Sequence, residues 1–312
     1  MIEEGFFKFI QERHNIWHER FILKNKPPWT EDPILGTTKY TNVYRELDRN
    51  TVWFIINVAR NSNMDYPIKV LNTLVFSVLN NINTVNLAGG MPLDIEEYPQ
   101  FLEDLIRVER DNRKLGTTVM TNAYFVYPVV HGMPKLQGYV TTVFYEFLKT
   151  LEDTLTVLDE GDPLKLVNHL LNYKGVGNFV AYEIYCNLVH LGITGFTFDS
   201  YVNVGPGAVE GLKRIYGNTL IGDSSRKEAL YNLTLKFPKF IESSGLPFWY
   251  LSPDKSVHLR FIEHSLCEYH KYCTQSERDK NYGRAKYFPK EHHEDYLTDY
   301  YDSLTLFSHA TL

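Results

Sequence analysis

The sequence predicts a mainly α-helical fold, built as one large body or two packed helical lobes, with one short β-prone segment. Three observations carry this. Apolar residues recur at spacings of three and four through most of the chain, which places them on one helix face. Prolines stand at the edges of those runs, as at Pro27-Pro28, Pro92 and Pro163. The run Gly175-Val176-Gly177 makes a tight turn that opens directly into another helical stretch.

Taken in order, Phe6, Phe7, Ile10, Trp17 and Phe21 form the apolar stripe of a first helix that Pro27-Pro28 ends. Val43 to Arg60 reads as a second helix and Ile68 to Val78 as a third. Ile95 to Arg113 reads as a charged surface helix introduced by Pro92 and Asp94. Thr117 to Val130 is rich in Thr, Val, Tyr and Phe, which suits a short strand pair or a buried loop. Gly138 to Leu158 returns to helix, and Pro163 to Asn172 is the first arm of a helical hairpin. Further helices are expected over Ala208 to Tyr216, Arg226 to Ile241 and Val257 to Tyr272. Residues 1–290 read as one helical domain and 291–312 as a C-terminal tail, with no internal repeat.

Composition bounds the function. With 44% hydrophobic and 14% aromatic residues in 312, the chain can bury a substantial core. Cys186, Cys267 and Cys273 make neither a disulfide framework nor a zinc site, and cannot supply four thiolates to an iron–sulfur cluster. No apolar run approaches membrane-spanning length, so a cytoplasmic protein without a membrane partner is expected. A net charge of −6 argues against nonspecific coating of DNA, but not against a local basic groove. Between Lys271 and Lys290 six basic residues, Arg284 and Lys286 among them, stand against two acids and are interleaved with Tyr272, Tyr282, Tyr287 and Phe288. That pattern suits backbone contact with base stacking; the alternative is a solvated surface segment.

The hairpin is the sharper signal. A glycine turn at a helix start points several backbone N–H groups outward, where the helix dipole adds positive charge. Lys174, Gly175, Val176, Gly177 and Asn178 are therefore the candidate contacts to a nucleic-acid backbone. The plainer alternative is a turn that merely starts a helix. About twenty residues on stands Asp199, bracketed by Phe196, Phe198 and Tyr201, a setting expected to desolvate its carboxyl and raise its pKa. Glu183, on the helix between, is the second candidate acid. The order hairpin, helix, Asp resembles the helix-hairpin-helix DNA glycosylase superfamily, with the hairpin spanning about 163–191. That superfamily's lyase branch carries a Schiff-base lysine where this chain has Phe179, so strand-cleaving lyase chemistry is not expected.

Two other segments concentrate polar groups. Arg45 and Arg49 are four apart, with Asp48 between them and Thr41 and Asn42 at an N-cap position. On one helix face the two guanidiniums would clamp phosphate or pyrophosphate oxygens; the alternative is a capped helix with surface ion pairs. In Val257 to Tyr272, Glu263, His264, Glu268 and His270 do not have metal-ligand spacing and read as structural polar residues.

Five motifs then occur in one order: PPWTEDPIL, TNVYRELDR, GVGNFVAYE, NVGPGA followed by GL, and EHSLCEYHKY. They resemble, over a span from Pro27 to Tyr272 that is about four-fifths of the chain, the phage alpha-glutamyl/putrescinyl thymine pyrophosphorylases, also described as amino acid:DNA transferases. They are also similar to the helical domain attached to phage 5-hydroxymethyluracil DNA kinases. The resemblance implies a glycosylase-like enzyme that replaces the pyrophosphate of 5-pyrophosphoryloxymethyluracil in DNA with an amine. Its partners would be double-stranded DNA carrying the modified thymine and an amine donor, amino acid or polyamine, in an infected host cell if the chain is phage-encoded. In that scheme Arg45 and Arg49, with Asp48, Asn42 and Asn203, hold pyrophosphate and substrate, and Asp199 or Glu183 is the general base. The glycine-rich turn from Asn203 to Ala208 would let backbone approach a base flipped out of the stack.

No Gly-x-x-x-x-Gly-Lys-Ser/Thr occurs, so the sequence holds no P-loop. No metal and no cofactor is expected. Two other classes stay open: a noncatalytic DNA-binding helical module, and a base-excision glycosylase in which Asp199 stabilises an oxocarbenium ion or activates water.

Overall fold

The computed structural model describes residues 2–121, 126–193, 195–277 and 295–309. It is mainly helical, with no β-strand among the described residues. In chain order come α1 (Glu4–Trp17), α2 (Arg49–Phe54), α3 (Tyr66–Leu79), α4 (Ile82–Leu87) and α5 (Tyr98–Leu115). Next are α6 (Lys135–Tyr139), α7 (Tyr145–Lys149), α8 (Leu151–Asp159), α9 (Pro163–Leu170) and α10 (Asn178–Val189). The last are α11 (Pro206–Tyr216), α12 (Gly222–Ser244), α13 (Leu259–Ser276) and α14 (Asp295–His309). They divide into two compact units: Met1–Arg49 with Val204–Leu312, and Asn50–Asn203.

The first unit is an aromatic core around α1. Phe7 meets Phe237 and Phe240 of α12 with centroids 5.6 and 5.3 Å apart, and Phe9 meets Tyr272 of α13 at 4.9 Å. Trp17 takes Tyr301 of α14 edge-on at 5.3 Å. Residues 295–309, expected as part of a tail, therefore belong to this core: Leu297, Tyr300 and Tyr301 are buried. Aromatic side chains spaced as they are there can bury one face of a helix, and that burial orders the segment.

The second unit is built around α3, whose Val70, Leu71, Leu74, Val75, Val78 and Leu79 are fully buried. Asp65 starts α3 by accepting from the Ile68 N–H, and Asn80 ends it in the left-handed conformation. Its one interior amide is satisfied on both sides: Asn72 donates to the Pro92 carbonyl and accepts from the Tyr98 hydroxyl, at 2.9 and 2.6 Å. The Glu109 carboxylate caps α6 by accepting from the Leu136 and Gln137 N–H groups.

One expectation changes and one open alternative is decided. The helix expected over Val43 to Arg60 is broken, because residues 45–47 form one 3-10 turn and Asp48 is extended before α2 begins. Residues 55–59 then form a π-turn. In the β-prone stretch, the described residues 117–121 and 126–130 are irregular backbone, held in part by Thr121 N–H and the Thr84 hydroxyl bonding the Leu79 and Val119 carbonyls.

Candidate functional site

Four of the five motifs meet in the first unit. On α13, Arg260, Glu263, His264, Cys267, Glu268 and Lys271 recur at spacings of three and four, so they share one helix face. That polar face is turned inward: Arg260, Glu263 and Glu268 are 1%, 6% and 4% exposed. Arg13 of α1, 5% exposed, and the Arg45–Asp48 pair of the 3-10 turn complete the cluster. The NVGPGA motif joins through the Gly205 N–H, which donates to Glu263 Oε1 at 3.4 Å. PPWTEDPIL joins at the end of α13, where the Tyr272 hydroxyl donates to Asp32 Oδ2 at 2.6 Å.

The electrostatics follow from that burial. Arg13 donates Nη2–H to Ser265 Oγ at 3.0 Å and lies 5.0 Å from the Phe9 ring centroid. Burial pulls its guanidinium down to about 10, against the nearby carboxylates of Glu268 and Asp48, which favour the charge. Asp48 accepts from the Asn42 N–H at 2.9 Å and pairs with Arg45; burial still pushes its carboxyl above the usual range. His264 is driven well below its ordinary value, first by burial and then by Arg45, Arg260 and Lys271, so the ring is neutral. Lys271 donates to Glu268 at 2.7 Å, and burial raises the Cys267 thiol. Four cations thus meet three carboxylates around a neutral imidazole. So many buried charges are expensive to assemble, and such clusters are characteristic of functional sites.

Several sequence readings are corrected here. Arg45 and Arg49 do not share a helix face: Arg45 lies in the 3-10 turn, and the extended Asp48 separates it from exposed Arg49. Asn42 caps no helix; its side chain donates to the Leu47 carbonyl at 2.6 Å and shapes the turn that aims Arg45. In NVGPGA and the GL that follows it, Gly207 and Gly211 serve helix packing, whereas Gly205 has room for a Cβ. A Cβ on Gly207 would sit 2.4 Å from Cys267 Sγ, and one on Gly211 would sit 2.2 Å from the Leu266 carbonyl. Arg13 and Arg260 went unread because each is a lone arginine in sequence. The inward polar stripe of α13 was the available signal.

The hairpin lies in the second unit. Asp162 caps α9, accepting from the Leu164 and Lys165 N–H groups, and residues 171–177 turn into α10. Tyr173 anchors the turn through contacts of its hydroxyl with Thr150, His169 and Thr154, at 2.7, 3.1 and 3.2 Å. Gly175 has φ +86° and packs on Val129 and Tyr139; a Cβ there would lie 2.2 Å from Val129 Cγ1. Gly177 begins α10 with no side-chain cap, which leaves the first amides of that helix facing out beside exposed Lys174 and Asn178. Val176 is buried and holds the turn.

The remaining candidates are spread out. Asp199 is exposed, on a turn in which Thr197 Oγ1 accepts from its N–H at 3.2 Å, so the aromatic neighbours do not desolvate it as expected. Phe196 is instead buried against Tyr185. Glu183 is buried on α10. Asn203 is half-buried at the end of the second unit. Arg284 and Lys286 lie outside the described residues. Among the described residues no three His, Cys, Asp or Glu side chains are grouped to hold a metal ion, and no helix is long and apolar enough to cross a membrane.

A helical domain with a buried ionic cluster in one unit and an uncapped glycine hairpin in the other is the class that these features define. The chain belongs to the family of the helical domain of 5-hmdU DNA kinases, whose family model matches residues 2–281. It is 29% identical over 299 residues to the 5-hmdU DNA kinase of Bacillus phage SP10. That alignment covers 90% of this chain and 46% of the phage protein, so the chain spans about half the length of the curated relative it matches. No solved structure matches the chain.

Proposed function

We propose that this chain is a DNA base-hypermodification transferase that replaces the pyrophosphate of 5-pyrophosphoryloxymethyluracil with an amine. The observation that carries the reading is the buried cluster of guanidiniums and carboxylates on α13, α1 and the 45–48 turn. Its support from kinship is the family itself, whose phage relative is a kinase of 5-hmdU DNA. A phosphorylated hydroxymethyl base is what such a kinase leaves, and this sequence has no P-loop to make it.

In the proposed step the bond between the C5 methylene carbon and the pyrophosphate oxygen breaks, and its electron pair leaves with pyrophosphate. The amine nitrogen forms the new bond to the methylene and gives up one proton to a carboxylate. Arg45 is the proposed stabiliser of the departing charge, in a buried setting where a guanidinium acts more strongly than in water. Glu263 is a carboxylate of the same unit, beside neutral His264 at 3.9 Å, and is the proposed proton acceptor there. Asp199 and Glu183 remain proposed bases in the unit that carries the hairpin. The hairpin itself is proposed to grip the DNA backbone in helix-hairpin-helix fashion, with the target base flipped out of the stack. A second reading, a noncatalytic DNA-binding module, is favoured by the match to only part of the phage kinase.

Release of inorganic pyrophosphate separates the two readings. DNA bearing 5-pyrophosphoryloxymethyluracil, mixed with this protein and a panel of amino acids and polyamines, should yield pyrophosphate in an amine-dependent way. Binding with no release leaves the module. Asp199→Asn with full turnover removes Asp199 as base, and Glu263→Gln with full turnover removes Glu263.

A further inference from the structure

Arg13 has more hydrogen-bonding capacity than its surroundings use. Its Nη2 donates to Ser265 Oγ, whereas Nε and Nη1 are buried with no hydrogen-bond partner among the described residues. The side chain is 5% exposed. A buried donor left without an acceptor is costly, more so on a charged group, so two such donors on one guanidinium call for an acceptor. Arg45 repeats the pattern: it pairs with Asp48, yet its Nε has no hydrogen-bond partner among the described residues. The Arg45 charge acts on Arg13, against the opposing carboxylates of Glu268 and Asp48.

We infer that Arg13 is the floor of a buried phosphoryl-oxyanion site, binding a phosphate or pyrophosphate group through Nε–H and Nη1–H. The inference rests on the proposed function for the source of that group, the pyrophosphate of the modified base, and names Arg13 as its principal ligand. A guanidinium suits this role because its N–H groups form a planar fork that meets two oxygens at once, which an ammonium cannot do. The neutral His264 leaves the anion with the guanidiniums and adds no competing charge.

The test is titration calorimetry of the full chain with inorganic pyrophosphate, with orthophosphate, and with an unmodified DNA duplex. Wild type should bind pyrophosphate without DNA present. Arg13→Lys, which keeps the charge and loses the fork, should weaken this about tenfold to a hundredfold, the effect of losing charge-assisted hydrogen bonds. Arg13→Met should abolish it. Equal affinity of Arg13→Lys and wild type overturns the inference, as does a wild type that ignores pyrophosphate at millimolar concentration. Binding by the duplex alone, unaffected at Arg13, assigns the oxyanion to the DNA backbone and also overturns it. Should the variants fail to fold, the arginine Nε–H resonances of wild type decide: one buried resonance must shift on adding pyrophosphate, and none shifting refutes the site. Pyrophosphate binding that depends on Arg13, without any turnover, keeps this site while the transferase reading fails. Turnover that persists with unchanged affinity in Arg13→Lys removes the site alone.

Discussion

Gly211 of α11 faces the Leu266 carbonyl of α13 so closely that a Cβ on the glycine would lie 2.2 Å from that oxygen. The neighbouring contact of Gly207 with Cys267, one helical turn away, extends the same seam. Close backbone approach of α11 is what brings Gly205 to Glu263 and fixes one wall of the ionic cluster.

Gly211→Ala should therefore destabilise the protein by about 3 kcal/mol or more, because the obstacle is backbone and has no rotamer to yield. Urea denaturation checks it. A loss under about 1 kcal/mol would mean that the two helices separate without penalty.

Gly177 and Gly175 should part company. Gly175 has φ +86° and no room for a Cβ, so Gly175→Ala should reduce both stability and DNA binding. At Gly177 φ is −94° and nothing lies within 4 Å of the added Cβ, so Gly177→Ala should fold normally. If the hairpin amides meet a phosphate backbone, the same variant should weaken DNA binding about tenfold, read by fluorescence anisotropy. Unchanged binding by Gly177→Ala would remove the hairpin from the interface.

Arg45 and Asp48 should be coupled. Removing either partner leaves a largely buried charge uncompensated, at about 3 kcal/mol. A double-mutant cycle with Arg45→Met and Asp48→Asn should show the pair losing less than the two singles together. Additive losses would place the two side chains in solvent, independent of each other.

Stability should fall on acidification, and His14 supplies a defined part of that fall. Its ring is buried beside Trp17 and Phe248, Nε2 lies 2.7 Å from the Trp249 carbonyl, and burial holds its pKa down at about 3. Unfolded histidine titrates near 6.5, so between about 6.5 and about 3 the unfolded chain binds a proton that the folded chain excludes. Stability then drops with falling pH by about 1.4 kcal/mol per pH unit for this one group. His14→Gln keeps an amide donor for Trp249 and removes the titration, so the change in melting temperature from about pH 7 to about pH 5 should flatten. An unchanged slope would mean that His14 is accessible to protons in the folded state.

The helices were largely legible in the sequence because their apolar spacing is local: α3, α5, α9 and α13 fall close to where the pattern puts them. The break at Asp48 was not, since the apolar spacing of Val43 to Arg60 runs through it. What breaks the run is a local set of polar contacts that apolar spacing does not register, Asp48 held by the Asn42 N–H and by Arg45. The site was legible in pieces. Arg45, Asp48 and, on α13, Glu263, His264 and Glu268 stood out, but their meeting depends on contacts spanning over two hundred positions, such as Arg13 with Ser265. The inward-facing polar stripe of α13 carried the information; Glu263 and Glu268 tested only for metal-ligand spacing read as structural polar residues. Gly207 and Gly211 carry a related ambiguity, since a glycine needed against a neighbouring helix looks the same in sequence as one needed against a nucleotide.

The most direct measurement is mass spectrometry of nucleosides digested from DNA that carries 5-pyrophosphoryloxymethyluracil, after incubation with this protein and a mixture of amino acids and polyamines. A new thymidine adduct whose mass equals the methylene-linked amine, formed by wild type and lost in Arg45→Met, is the predicted result. Intact pyrophosphorylated nucleoside with the protein bound to the DNA, or free base with abasic sites, would contradict it.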